Sequence, residues 1–346
     1  MRMIVAIVVG IICVWPVHVT AVTLYGAGAT FPQPLYQTWF DAYNEATGQK
    51  TLYDAVGSGK GTTLFLQKRI DFGATDAFLS DSLLATAEGA IVHLPTCLGA
   101  VVLTYNLPGQ VELNLTPELI AGIFLGEIKR WDDQRIQKVN RGQALPAREI
   151  VVVHRHDASG TTFIFTEYLD KVSRSWRKRV GAGKSLQWPV GYGVDGNRGV
   201  ADLIERTPGA IGYLEMTFAG ERNLPTAKVQ NRSKRFVKPD VHTVSLAAEV
   251  HIPPDTRISI TNTDAPGGYP ISSFTWLVFY REQSYGGRSL GQAEALRRLM
   301  QWIITEGQSF NEPLNYAPLP HSALNRADQL IRQMTFDGRP IGAEKR

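Results

Sequence analysis

Three short segments set glycines and hydroxyl side chains directly ahead of runs with helical spacing: GAGATFP (Gly26 to Pro32), GSGKGTT (Gly57 to Thr63) and DASGTT (Asp157 to Thr162). A hydroxyl placed there can accept from the orphan amides of a helix's first turn, which alone is punctuation rather than chemistry. Three such segments describe more. Glycines let backbone N–H groups approach a ligand, and helix N-termini carry partial positive charge, so together they suit a tetrahedral oxyanion if they converge. The second segment also invites comparison with the nucleotide loop GxxxxGK[ST], but Gly61 stands where Ser or Thr must follow Lys60, which argues against nucleotide hydrolysis.

Other chemistries find less support. His156, Asp157 and Ser159 lie close in sequence, which keeps a secreted hydrolase in view. Triad geometry is spatial, however, and neither a GxSxG elbow nor a two-metal carboxylate and histidine cluster is present. His154 and His156 can face one way on a strand, yet no third ligand stands at metal spacing, so neither a metal nor another cofactor is expected. Trp131 and Trp188 read as packing residues rather than stacking platforms.

The elements that must position the three segments are legible as an alternation. Leu35, Trp39, Tyr43 and Ala46 repeat at helical spacing in a stretch opened by Thr30, with Pro32 and Pro34 in its first turn and Gly48 at its close. Strand-like runs at Ile91 to Leu94, Ala100 to Tyr105, Ile150 to His154, Ile211 to Leu214 and Phe274 to Tyr280 interleave with helical candidates near Gly61 to Lys68, Thr161 to Lys171, Gly199 to Glu205 and Ala293 to Ile304. This is an α/β pattern with mostly parallel sheets. The 346 residues suggest two domains. From Arg222 to Gly268 the chain reads as loop-rich decoration, its basic run a solvated face.

With 36 Lys+Arg against 32 Asp+Glu, the charge is too weak and dispersed to argue for nucleic acid, while a small anion stays open as partner. Arg2, an apolar stretch of about a dozen residues from Ile4 to Trp15, and Val19-Thr20-Ala21 predict a signal peptide, residues 1–21, cleaved near Ala21. The competing reading, a membrane anchor, needs ~20 apolar residues. A lipoprotein would need a small residue before Cys13, where Ile12 stands. Export leaves Cys97 a lone thiol among apolar neighbours, a packing residue.

Six segments in register, GAGATFP, DFGATDAFLSD (Asp71 to Asp81), FLGEIKRWDD (Phe124 to Asp133), RHDASGTTFIFTEYL (Arg155 to Leu169), PGAIGYLE (Pro208 to Glu215) and LNYAPLP (Leu314 to Pro320), carry a resemblance to the phosphate-binding protein of the phosphate-specific ABC transporter. It runs from about Leu24 to Pro320 and thins between about Arg222 and Tyr269. The resemblance implies a two-lobe periplasmic-binding-protein fold with a two-strand hinge. Residues 22–103 and 272–346 would form a discontinuous first lobe and 104–271 the second. It implies a periplasmic, non-enzymatic, high-affinity receptor, monomeric, that hands inorganic phosphate to membrane permease and ATPase subunits. A phosphate sensor not coupled to transport, or a secreted phosphoesterase, is the alternative.

By the same resemblance Thr30 and Phe31 supply hydroxyl and amide donors at one helix start and Ser58 at a second. Arg155, paired with Asp157, reaches the ligand with its guanidinium, Ser159, Gly160 and Thr161 complete a third donor set, and Asp76 is the pocket carboxylate. Each type suits its task. Arg offers planar bidentate donors that Lys cannot reproduce. A buried carboxylate can accept a hydrogen bond from protonated phosphate, whereas sulfate has no proton to share and would meet it as an uncompensated charge. Two positions depart from the family's pattern: Gly59-Lys60 replaces a second serine, and His156 stands where a small residue is usual. Lys60 can steer anions electrostatically, and His156 can add pH dependence near its ordinary pKa of about 6.5.

Overall fold

The computed structural model describes residues 22–342, so the expected signal peptide lies outside the described residues. Strand β1 (Leu24–Gly28) turns into helix α1 (Gln33–Thr47), β2 (Thr51–Asp54) into α2 (Ser58–Leu66), and β3 (Phe72–Thr75) delivers Asp76 before α3 (Asp81–Ala85). Next come β4 (Ile91–Tyr105), β5 (Asn114–Leu115), α4 (Pro117–Phe124), α5 (Gln134–Val139), β6 (Val151–Arg155), α6 (Gly160–Val172) and α7 (Arg174–Arg179). After these, β7 (Tyr192–Val194), α8 (Gly196–Arg206), β8 (Ala210–Glu215), α9 (Met216–Glu221), β9 (Lys228–Gln230), β10 (Phe236–Val237) and α10 (Val241–Ala247) lead to β11 (Ser272–Tyr280), α11 (Leu290–Ile304) and α12 (His321–Arg332).

Eight strands form one continuous array in the order β2-β1-β3-β11-β4-β8-β6-β7. Both wings are parallel, β1 with β2 and β3 on one side and β6 with β7 and β8 on the other. The centre is antiparallel, and there β4 changes partner: Ile91 to Ala100 pair with β11, and Val101 to Tyr105 pair with β8. The two strand runs expected at Ile91 to Leu94 and Ala100 to Tyr105 are therefore one strand shared by two lobes. Every residue of β4 after Ile91 is buried, which is why it reads as continuous apolar sequence rather than an alternation. Opposite Thr96 the register slips between Thr275 and Trp276, beside Pro95, which has no amide to give to a ladder.

Each wing is covered by helices whose apolar stripes seal it. On α1, Leu35, Tyr36, Trp39, Phe40 and Tyr43 are buried, and Gly48 ends the helix in the left-handed conformation with φ 71°. Each such side chain contributes roughly 1.5–3 kcal/mol by leaving water. Trp39 keeps its indole N–H satisfied on the Gly307 carbonyl at 2.6 Å.

The stretch from Arg222 to Gly268 differs from the loop expected there. It holds β9 and β10, which extend β5 into a small sheet, and α10, opened by a capping box of Asp240 and Thr243. Beyond them Arg257 donates to the Leu79 carbonyl at 3.1 Å and pairs with Asp81 at 2.6 Å, so the segment straps onto the first lobe. Elements of two to seven residues give too short a period to register in sequence.

Candidate anion-binding cleft

Both wings aim the carboxyl ends of their parallel strands, and the helix starts that follow, at one cleft. The first-turn amides of α2 and α6 have no intrahelical partners. These two starts meet: Gly59 N donates to the Ala158 carbonyl at 2.9 Å across the cleft. Of the three hydroxyl segments only the third is capped by its serine, Ser159 Oγ accepting from Thr162 N at 3.2 Å. The N-caps of α1 and α2 are Pro32 and Gly57, neither with a side-chain cap bond. Thr30 and Ser58 are thereby released from punctuation. Ser58 Oγ, buried, lies 3.5 Å from Asp76 Oδ2, and Thr30 Oγ1 accepts from Asn197 Nδ2 of the opposite lobe at 3.1 Å.

Arg155 is the last residue of β6, its side chain 0% exposed. Its Nε donates to Asp157 Oδ1 at 2.6 Å and Nη2 to Asp157 Oδ2, a fork-to-fork pair that fixes the guanidinium plane. Asp157 also accepts from Gly196 N at 3.2 Å. Arg155 Nη1 is buried and donates to no protein atom. A charged donor left so costs a few kcal/mol unless an acceptor reaches it, since hydrogen bonds to charged groups are the costly ones to lose.

Asp76, only 2% exposed, accepts from Thr275 Oγ1 at 2.8 Å. Burial pushes its carboxyl up to about 7 against the opposing pull of the Thr275 bond, Arg155 and Lys184. The group can thus hold or release a proton near neutrality. Phe31 is buried, with its carbonyl taken by Tyr316 Oη at 2.7 Å, and Thr161 Oγ1 accepts from Asn197 Nδ2 at 3.4 Å. Thr30, Phe31, Ser58 and Asp76 of the first lobe are thus gathered against Arg155, Asp157, Ser159, Gly160 and Thr161 of the second.

Sequence reasoning passed over two further cleft residues. Asn197, fully buried at the start of α8, bridges Thr30 and Thr161 and accepts from Glu215 N at 3.2 Å. Lys184, in the loop after α7, places Nζ 3.4 Å from Thr75 Oγ1 of the opposite lobe. Asn197 lies two residues ahead of the helical candidate that begins near Gly199, and Lys184 sits in a Gly-flanked loop with no periodic signal. Lys60 and His156 lie at the surface, His156 pairing with Asp195 at 3.4 Å. His154 is engaged elsewhere, stacking on Trp188 with ring centroids 4.7 Å apart. With Ser159 capping α6 and Asp157 holding Arg155, no Ser-His-Asp relay forms with His156. Trp131 is buried with its N–H on the Gly209 carbonyl at 2.9 Å, a packing role as expected.

The fold and cleft define a two-lobed α/β binding protein, and residues 17–306 match the PBP superfamily domain. Phosphate-binding protein PstS of Pasteurella multocida is 36% identical over 311 residues, 88% of this chain and 89% of its own. The protein of the same name from Methanocaldococcus jannaschii is 38% identical over 319 residues, 84% of this chain and 80% of its own. In architecture the chain is similar to the high affinity periplasmic phosphate-binding protein PfluDING, solved bound with phosphate, with TM-score 0.74 and 23% identity over 93% of this chain and 96% of that one. The chain belongs to the PBP superfamily and, within it, to the family of the phosphate-binding proteins PstS.

Proposed function

We propose that this protein is an exported, high-affinity receptor that captures inorganic phosphate between its lobes and delivers it to the permease and ATPase subunits of an ABC importer. The observation that carries this reading is the buried, unpartnered Nη1 of Arg155, set in a cleft where the starts of α2 and α6 meet beside Asp76. A tetrahedral anion satisfies that guanidinium and the first-turn amides together, and a carboxylate in the same cleft suits an anion that carries its own proton. Thr30, Phe31, Ser58 and Asp76 would bind from a lobe of residues 22–103 with 272 onward, and Arg155, Ser159, Gly160 and Thr161 from residues 104–271, with Asp157 orienting Arg155. Bridging by the anion selects the closed arrangement, and β4 and β11 serve as the hinge. The reading includes removal of residues 1–21, a periplasmic monomer and no turnover.

Calorimetric titration of the mature chain with phosphate, sulfate and arsenate tests it. Tight phosphate binding, arsenate tolerated and negligible sulfate binding are expected, with the bias against sulfate relaxed in Asp76→Asn. Equal affinity for sulfate and phosphate in the wild type would overturn the assignment. A chromogenic phosphate ester should raise no product while phosphate raises the melting temperature by mass action.

A further inference from the structure

Lys184 combines an interior position with a reach across the cleft. Its carbonyl accepts from Ser159 N at 2.9 Å, anchoring the loop to the cap of α6 in the second lobe. Its ammonium crosses to Thr75 Oγ1 at the end of β3, the residue before Asp76. That hydroxyl is already committed as a donor, to the Ala77 carbonyl at 2.6 Å, so it is free only to accept. Arg155 spends two of its donors on Asp157, and the charge of that pair is largely balanced. Among the described residues Lys184 is therefore the cleft cation not matched by a carboxylate of its own lobe.

We propose that Lys184 is a specificity and retention residue of the phosphate site: in the closed protein its ammonium supplies the charge that Arg155 and Asp157 do not, and latches the second lobe to the strand end bearing Asp76. The proposal deepens the phosphate-receptor reading and rests on it. Several charged groups act on or near Lys184. Asp76 follows β3, Arg155 ends β6 with Asp157 two residues beyond, His93 lies on β4, and Arg257 with Asp255 lies on the strap. Asp76 attracts it, whereas burial holds His93 neutral with its pKa down at about 3. Burial also draws the lysine down to about 8, with Asp76 opposing. A bound anion favours the charged ammonium, so the latch holds near neutrality and weakens in alkali.

Lys184→Met keeps the stem and the backbone bond to Ser159 while removing the charge, and Lys184→Arg restores it. Phosphate titration and stopped-flow release with inorganic phosphate at about pH 7 and about pH 10, on either side of the lysine's ionisation, read the effect. At about pH 7 Lys184→Met should bind phosphate at least about tenfold more weakly, the size of one charge-assisted hydrogen bond, with the loss in the dissociation rate. The gap from wild type should narrow at about pH 10, and Lys184→Arg should recover part of it. Wild-type affinity in Lys184→Met at about pH 7, or an equal loss at both pH values, would overturn the proposal. Should the wild type itself bind no phosphate, the receptor reading falls, and this inference with it.

Discussion

Gly160 and Asp76 approach so closely across the cleft that a Cβ at position 160 would lie 2.5 Å from Asp76 Oδ2 and 2.5 Å from Ser58 Oγ. Gly160 is the first residue of α6, at an ordinary helical φ, so its lack of a side chain serves the approach of the lobes rather than a turn. Gly160→Ala should separate the two. The helix itself gains up to ~1 kcal/mol from alanine, while the closed cleft meets an overpacking cost of roughly 1–3 kcal/mol. Phosphate affinity should fall by about tenfold to a hundredfold. Melting of the ligand-free protein should stay level or rise. Unchanged affinity by titration would mean the lobes do not close on this geometry.

Asp76 makes a second prediction through pH. Burial raises its folded pKa to about 7, far above the unfolded value of about 3.9, so between these values the folded protein holds a proton that the unfolded chain has released. The contribution of Asp76 to the stability of the ligand-free protein is therefore best below about pH 4. It declines as pH rises toward about 7 and is flat beyond. Asp76→Asn, which has no charge to bury, should be more stable than wild type at about pH 8, by as much as a few kcal/mol, and nearly equal to it at about pH 4. Denaturant melts at the two pH values check this; a difference of the same size at both would show that ionisation of Asp76 is not the cause.

What was legible in the sequence follows from what local chemistry can encode. Glycine and hydroxyl clusters ahead of helices mark three helix starts, and those starts do line one cleft. Yet of their hydroxyls only that of Ser159 caps its helix, because Pro32 and Gly57 take the cap positions of α1 and α2. The partners of Thr30 and Ser58 lie 167 and 18 residues away, at Asn197 and Asp76, where no local period reaches. For the same reason Lys184 and Asn197 stayed hidden: each owes its place to a contact between lobes. The sequence presents β4 as two runs because Pro95 and Gly99 interrupt a stretch that is buried on both faces.

Cys97 offers a test of how the core is packed. It is fully buried on β4, and burial drives its thiol well above the usual range, with the carboxylates of Asp76 and Glu215 pushing the same way. The thiolate is the reactive form. An aromatic disulfide reagent should therefore modify Cys97 only as fast as the fold opens, and phosphate, by stabilising the closed form, should slow the reaction further. Rapid labelling of the native protein at neutral pH would contradict this packing.

Asn197 tests whether the lobes communicate through side chains as well as through the anion. Its amide N–H groups face Thr30 Oγ1 at 3.1 Å and Thr161 Oγ1 at 3.4 Å, one on each lobe, while its carbonyl accepts from Glu215 N in β8 at 3.2 Å. Two substitutions divide these tasks. Asn197→Ala strands the buried Glu215 amide as well as both hydroxyls, so stability should drop by roughly 1–3 kcal/mol and phosphate affinity should fall. Asn197→Asp can still accept from Glu215 N but offers no donor to the hydroxyls and sets a negative charge beside the anion's donors. It should bind phosphate more weakly than the alanine variant at low salt. The order of affinities, wild type then alanine then aspartate, is the outcome to look for by calorimetry. The reverse order of the two variants would show that Asn197 serves β8 alone and takes no part in how the cleft meets an anion.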